Sequence, residues 1–277
     1  MNPGKMKALN LPFKYHFKAE STMRRICFLI VCLLPVASFS QDINERIDSL
    51  RKVLSQQQTD TAKARLLALL GSTYRSVEID SSNFYLESAL RLFRKNEISK
   101  EEAGLLCDIG FNKVTAGDFP EALRYLNQSL QISQKSKLSD NIRRAYFYLG
   151  HLYNHLEDYK TSLEYRRKVY QLDLSNKLNT SVNRRETNII YMASMFSKLG
   201  LIDSASFYLS KVTDSIPFRS PEYIDMISGP MSLVLLYMER YDSAIIMSKR
   251  GVSEAYRRGN IREAGLSLVQ SAEAYHA

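Results

Sequence analysis

Apolar residues recur every three or four positions along most of the chain, which is the spacing of one buried face of an α-helix. Such sets are Leu67, Leu70 and Tyr74, then Tyr146, Leu149 and Tyr153, then Ile189, Met192 and Phe196. An earlier set, in residues 41–59, predicts one amphipathic helix ahead of them. The β-branched clusters that mark strands are missing, and only 11 glycines and seven prolines interrupt the 277 residues. This pattern predicts an all-α protein of long helices.

A small residue returns at a nearly constant interval among these apolar sets. Its positions are Gly71, Gly110, Gly150, Ala193, Ser232 and Ala272, separated by 39, 40, 43, 39 and 40 residues. A small side chain at a crossing point lets two helix backbones approach closely. The interval therefore predicts repeated helix pairs with a period of about 40 residues.

The second helix of each predicted pair begins near an aspartate, where a carboxylate meets the positive end of the helix dipole. These residues are Asp80, Asp118, Asp158, Asp203 and Asp242. Pro120 falls in a first turn, where its missing N–H leaves no helical hydrogen bond unmade. Pro230 instead falls inside the first helix of the fifth pair, where a proline is expected to kink or shorten the helix.

The second and third pairs share a motif of small and aromatic residues at fixed spacing. Its residues are Gly110, Ala122 and Ser129 in the second pair, and Tyr146, Leu149, Gly150, Tyr153 and Tyr159 in the third. The motif resembles that of the tetratricopeptide repeat (TPR) family, although the closing proline is absent and the period exceeds the family's roughly 34 residues. The resemblance implies a right-handed superhelical solenoid of antiparallel helix hairpins. It places an N-terminal capping helix in 41–59 and about five and a half TPR-like repeats in 60–277.

The resemblance also implies a ligand, because TPR solenoids generally bind a protein or peptide in the concave groove lined by their first helices. By the family's pattern, the groove-facing residues are Arg65, Arg75, Phe111, Arg144, Phe147, His151, Asn154, His155, Ser194 and Lys198. The third repeat supplies about half of them, and arginine and aromatic side chains are the types that anchor interfaces. The alternative is a set of solvated polar residues with no ligand.

The net charge of +9 is concentrated near the N-terminus. Residues 1–40 hold six basic residues and one acidic residue, a net of +5, which leaves 32 basic and 28 acidic residues, a net of +4, for the rest. Such a balance is that of an ordinary solvated surface, so nucleic acid is not predicted as a partner.

Residues 23–40 have the features of a secretory signal peptide: two arginines, an apolar run of 14 residues and small residues before Gln41. The run is short for a membrane span, and the alternative is an uncleaved anchor. Residues 1–22 resemble neither a signal nor a domain and are interpreted as an upstream extension, with Met23 as the start. The protein is therefore predicted to be exported, periplasmic or secreted, with no membrane segment within the repeats.

The chain carries no phosphate-binding glycine loop, no hydrolase nucleophile elbow and no dinucleotide-binding glycine motif. His151 and His155 share one helix face, as in some zinc sites, but Leu152 stands where the metalloprotease motif has glutamate. Cys107 lies among apolar residues and is interpreted as a core residue. The sequence therefore predicts a binding protein without catalytic residues, metal or cofactor, and a metal enzyme at the two histidines is a rival hypothesis.

The sixth predicted repeat has a first helix near residues 261–276 and no second helix. Its apolar face and the lack of a capping residue favour an array with further helices; the alternative is an array that ends in a single capping helix. Two functions stay open. One is an exported scaffold that binds a protein or peptide; the other is the extracytoplasmic sensory domain of a membrane signalling protein with a kinase or DNA-binding module. The sequence does not set the oligomeric state.

Overall fold

The computed structural model describes residues 43–175, 182–212 and 221–257, together with residues 265, 268 and 269. The three long stretches form eleven α-helices and contain no strand. The helices are α1 (43–55), α2 (Asp60–Tyr74), α3 (Ile79–Lys95), α4 (Ser99–Ala116), α5 (Phe119–Lys135), α6 (Ser139–His155), α7 (Tyr159–Leu174), α8 (Val182–Lys198), α9 (Ile202–Leu209), α10 (Pro221–Tyr237) and α11 (Tyr241–Arg257). The predicted signal peptide, the segment before it and most of the sixth repeat lie outside the described residues.

The helices from α2 onward pair as antiparallel hairpins, α2 with α3 and so on to α10 with α11. Two to four residues connect the helices of each hairpin. Because such loops are short, the second helix packs antiparallel to the first. Successive hairpins stack, with α3 on α4, α5 on α6 and α7 on α8. The predicted all-α, right-handed superhelical solenoid of antiparallel hairpins is confirmed.

Aspartates begin the second helices as predicted. The Asp118 carboxylate accepts a hydrogen bond from the backbone N–H of Glu121 at 3.4 Å, and the Asp158 carboxylate accepts one from Thr161 at 3.1 Å. The other three lie in first turns: Asp80, Asp203 and Asp242. These carboxylates satisfy or face N–H groups that have no acceptor within their own helix.

Gly71, Gly110 and Gly150 lie where the two helices of a hairpin cross, as the interval predicts. A Cβ atom at Gly71 would lie 2.6 Å from Cγ of Leu86, and one at Gly110 would lie 2.8 Å from Cδ2 of Leu126. Ser82 further joins the two helices of the first hairpin, because its hydroxyl donates to the Gly71 carbonyl at 2.7 Å. These two crossings therefore have room for a hydrogen atom and for no larger group.

Pro230 lies inside α10, and the helix continues for seven residues beyond it, to Tyr237. The proline therefore does not end its helix. Pro230 removes one backbone N–H, but Ile227, Met231 and Leu235 on either side of it are buried in one apolar cluster. Packing of this face holds the helix through the proline, as tertiary contacts commonly override local propensity.

Cys107 is a buried core residue, as its apolar neighbours predict. Its Sγ lies 3.0 Å from Oγ of Ser129. Burial raises the pKa of the Cys107 thiol to about 11. A thiol of that pKa stays protonated at neutral pH, which is the opposite of a nucleophilic cysteine.

Candidate ligand groove

The first helices of neighbouring hairpins lie on the inner side of the solenoid. The backbones of α4 and α6 approach each other closely, as do those of α8 and α10, whereas the second helices have no comparable mutual packing. Elements on the inside of a curve are brought together and those on the outside are spread apart. Side chains of α2, α4, α6, α8 and α10 that do not enter the core therefore face a concave groove.

Five rings from three of these helices form one contiguous set, which we call the inner aromatic cluster. Its members are Phe111 of α4, Phe147, Tyr148 and His151 of α6, and Tyr191 of α8. The rings of Phe111 and Tyr148 stack with centroids 4.7 Å apart. The His151 ring lies 5.0 Å from that of Phe147 and 4.7 Å from that of Tyr191. All five residues are half-buried.

The environment of His151 keeps its imidazole neutral. Burial lowers the pKa of His151 well below its ordinary value, and the positive charges of Arg166 and His155 lower it further. A neutral imidazole offers one donor and one acceptor to a ligand, besides its ring faces.

An ion network borders the cluster on the α2 side. The Asp108 carboxylate accepts hydrogen bonds from Arg75 at 2.8 Å and from Arg144 at 2.9 Å. Arg75 also donates to the amide oxygen of Asn112 at 2.9 Å and lies 5.6 Å from the centroid of the Phe111 ring. Burial lowers the pKa of Arg144, but the Asp108 carboxylate together with Tyr148 and Cys107 raises it above its usual value. Two cations on one carboxylate leave this border positively charged.

A second polar contact joins α6 to α8 at the other end of the cluster. Nζ of Lys198 donates to the Asn154 amide oxygen at 3.2 Å and lies 4.7 Å from the centroid of the Tyr159 ring. Lys198 is half-buried. The inner aromatic cluster is thus bordered by cations on two sides.

Arg166 reaches the inner aromatic cluster from the outer helix α7. This residue of the second helix α7 is fully buried, and its guanidinium carbon lies 4.3 Å from the ring centroid of Phe147 and 4.4 Å from that of Tyr191. Its side chain passes Gly150, where an added Cβ would lie 2.9 Å from Nε of Arg166. Within the described residues, none of its three guanidinium nitrogens has a hydrogen-bond partner.

The structure brings together most of the residues that the TPR pattern selects. Phe111, Phe147 and His151 belong to the inner aromatic cluster, and Arg75 and Arg144 share its Asp108 border. Asn154 and Lys198 form the contact across α6 and α8.

Three selected residues lie elsewhere. Arg65 is exposed on α2, where the structure gives it no contact with the cluster. His155 is exposed at the end of α6, and its ring stacks on that of Phe119 at 6.2 Å, by the hairpin loops. Ser194 is buried, and its hydroxyl donates to the Tyr191 carbonyl at 2.9 Å, which corrects its expected place on the groove surface.

The sequence pattern misses four residues of the site: Asp108, Tyr148, Arg166 and Tyr191. Tyr148 and Tyr191 are indistinguishable in sequence from core tyrosines. Arg166 had a signal, because it follows Gly150 by 16 residues, as Leu126 follows Gly110. An arginine in register with a core leucine is a departure that alignment of the repeats exposes.

The histidine pair gains no further ligand for a metal ion. Among the residues that the structure describes, no group of three or more histidine, cysteine, aspartate or glutamate side chains is arranged to hold one. In the same residues, no helix has the length and apolar character needed to cross a bilayer.

Solved structures with the same architecture are helical repeat proteins. NprR in complex with its cognate peptide NprX matches at a TM-score of 0.64 and 16% identity, over 89% of this chain and 73% of that one. Aspartyl phosphate phosphatase F from Bacillus subtilis matches at 0.61 and 14%, over 94% and 74%. A Rap protein complexed with competence and sporulation factor matches at 0.60 and 15%, over 86% and 71%. At these identities the likeness concerns the fold alone.

Family comparison covers most of the chain. No curated protein matches it. The family described as the SusR N-terminal TPR domain matches residues 36–234, which include α1 to α9, the inner aromatic cluster and both of its polar borders. With the repeated hairpins and their glycine crossings, this match shows that the chain belongs to the SusR N-terminal TPR domain family.

Proposed function

We propose that the protein binds an extended peptide, or an extended segment of a protein, in the groove across α4, α6 and α8. The observation that carries the proposal is the inner aromatic cluster. Its five half-buried rings form a wall from three successive repeats, with cations on two sides. Aromatic and arginine side chains that are partly desolvated before binding are the usual anchors of interfaces.

Two solved neighbours support a peptide as the ligand class. NprR was solved with its cognate peptide NprX, and the Rap conjugation gene regulator of plasmid pLS20 was solved with the Phr* peptide. Both share this chain's fold at low identity, so they support the architecture as a peptide-binding one and do not specify the sequence of a ligand.

The family favours a sensory role for this binding. It is described as an N-terminal TPR domain, and an N-terminal binding module is the place of an input domain in a signalling protein. With the signal-like segment 23–40, we infer an exported input domain whose groove reports a ligand to an output module.

Export is tested by the mass of the protein recovered from the periplasm. We expect a chain that begins at Gln41 after cleavage. A cytoplasmic protein that keeps segment 23–40 would contradict the inference of export.

The binding experiment uses a random pool of N-acetylated decapeptides retained by the immobilised protein and identified by mass spectrometry. Retained peptides are then titrated by calorimetry against the wild type, Phe147→Ala and Phe84→Ala. Phe147 lies in the cluster, whereas Phe84 is a 61% exposed ring on the second helix α3. We expect Phe147→Ala to weaken binding by about tenfold or more, as loss of an aromatic anchor does, and Phe84→Ala to leave it unchanged.

Two outcomes contradict the proposal. One is a pool from which the wild type retains nothing. The other is retained peptides that bind Phe147→Ala as tightly as the wild type, because their site then lies outside the groove. Circular dichroism of both variants establishes that each keeps its helices.

A further inference from the structure

Arg166 occupies a position that the neighbouring repeats fill with leucine. In the first two hairpins the residue facing the crossing glycine is Leu86 or Leu126, and both are fully buried. In the third hairpin the residue facing Gly150 is Arg166, also fully buried. The same position opposite the crossing glycine therefore holds an apolar side chain in the first two repeats and a cation in the third.

Among the described residues, no carboxylate pairs with the guanidinium. Arg143, whose charge acts on it, is itself paired with Asp173 at 2.6 Å. Burial lowers the pKa of Arg166 to about 9, the Tyr191 hydroxyl raises it and Arg143 lowers it, and no carboxylate takes part. Arg166 therefore stays charged at neutral pH, in contact with two rings that only partly compensate the loss of water.

The side chain is aimed at the groove. It starts on the outer helix α7, passes Gly150 and ends against Phe147 and Tyr191, which belong to the inner helices α6 and α8. The backbones of α6 and α8 do not approach each other as those of α4 and α6 do, so side chains alone close the space above Arg166. The covering residues Phe147, His151 and Tyr191 are half-buried. Side chains with part of their surface exposed change rotamer without movement of the backbone.

We infer that Arg166 is the anchor for a carboxylate of the groove ligand, an inference that rests on the proposed peptide-binding function. On binding, a ring of the cluster turns aside and the carboxylate takes its place on the planar edge of the guanidinium, through two parallel hydrogen bonds. The chemistry is that of a peptide C-terminus or of an aspartate or glutamate side chain. The rings of the cluster then close around the adjoining apolar part of the ligand.

The test compares three decapeptide pools on the same immobilised protein. The first lacks acidic residues and ends in a free carboxylate; the second is the same pool as C-terminal amides; the third is amidated and contains glutamate. Each is applied to the wild type, to Arg166→Leu and to Arg167→Leu. The last is the matched control, because Arg167 is the exposed neighbour on the same helix and its loss changes the net charge equally.

We expect the wild type to retain the first pool, the third or both at least tenfold more than the second, which also identifies the source of the carboxylate. Arg166→Leu should lose that preference and Arg167→Leu should keep it. Equal retention of all three pools, with Phe147→Ala still deleterious, overturns the inference and leaves the proposed function standing.

A small probe separates the two claims if no peptide is retained. Titration with 4-fluorophenylacetate, followed by fluorine NMR, supplies an aromatic carboxylate without a peptide. Saturable binding that Arg166→Leu abolishes supports the carboxylate site while the peptide proposal fails, and no binding overturns both. Should Arg166→Leu not fold, Arg166→Lys keeps the charge without the planar fork, and binding equal to that of the wild type then overturns the two-bond geometry.

Discussion

Arg166 shows how one residue can separate function from stability. A buried cation without a counter-ion opposes folding, whereas Leu86 and Leu126 stabilise the equivalent crossings of the earlier repeats. Natural proteins are rarely at their stability optimum, and stabilisation is commonly opposed where function needs a strained or destabilised group. The position is therefore better explained by what it binds than by how it packs.

The burial of His151 can be tested through the pH dependence of the free energy of unfolding. Its pKa in the folded state lies well below the ordinary value, so between that value of about 6.5 and the folded pKa the unfolded chain binds the additional proton. The free energy of unfolding should accordingly decrease as the pH falls through this range. We expect His151→Gln to remove part of the decrease, measured as the shift of the urea midpoint between pH ~7 and ~5.5.

His155→Gln is the matched control for this change. His155 lies one turn further along α6 and is exposed. Its charge is the smallest of the three causes that lower the pKa of His151, so its substitution should keep most of the wild-type pH dependence. A His151→Gln variant with the full wild-type shift would show that the imidazole is solvated, and that the cluster does not desolvate it.

At the scale of the elements, α4 contains two glycines in different surroundings. A Cβ at Gly110 would lie 2.8 Å from two atoms of Leu126, whereas one at Gly104 would meet its nearest atom, on Arg144, at 3.4 Å. Alanine favours a helix over glycine by about 0.8–1 kcal/mol at either position. Gly110→Ala should nevertheless lower the free energy of unfolding by about 1–3 kcal/mol, because the crossing becomes overpacked.

Gly104→Ala isolates the propensity term in the same helix. It should raise the free energy of unfolding by up to ~1 kcal/mol. Urea unfolding of both variants, followed by far-ultraviolet circular dichroism, gives the comparison. Equal stability of the two variants would refute the close crossing of α4 and α5.

The elements were largely predictable from the sequence because their causes are local. Apolar spacing, aspartates at helix starts and glycines at crossings act within one hairpin, and the fold follows from repeating them. The site was predictable only in part. Tyr191 and Arg166 become site residues because α8 stacks on α7 at a particular register, and that is a tertiary fact. Pro230 shows the same limit, since packing of α10 overrides a local breaker.

At the scale of the whole molecule, one buried ion pair holds the two helices of the third repeat together, and its arginine also reaches the fourth repeat. Arg143 of α6 donates to the Asp173 carboxylate of α7 at 2.6 and 3.1 Å, and also to the Arg184 carbonyl of α8 at 3.2 Å. Both side chains of the pair are almost fully buried. In a solenoid each repeat is stabilised mainly by its neighbours. Destabilising one repeat should therefore separate the repeats on either side of it into independently unfolding parts.

Asp173→Asn tests whether the ion pair of the third repeat is needed for the array to unfold as one cooperative unit. The substitution keeps the shape of the side chain but leaves Arg143 buried without its counter-ion, which should lower the free energy of unfolding by about 3–5 kcal/mol. Hydrogen exchange followed by mass spectrometry should show faster exchange in α6 to α11, with α2 to α5 protected nearly as in the wild type. Asp60→Asn, which breaks the exposed pair with Lys95, is the control and should change exchange little. Uniformly faster exchange along the chain in Asp173→Asn would instead mean that the repeats unfold as a single unit, and that a ligand bound between α6 and α8 stabilises the whole solenoid at once.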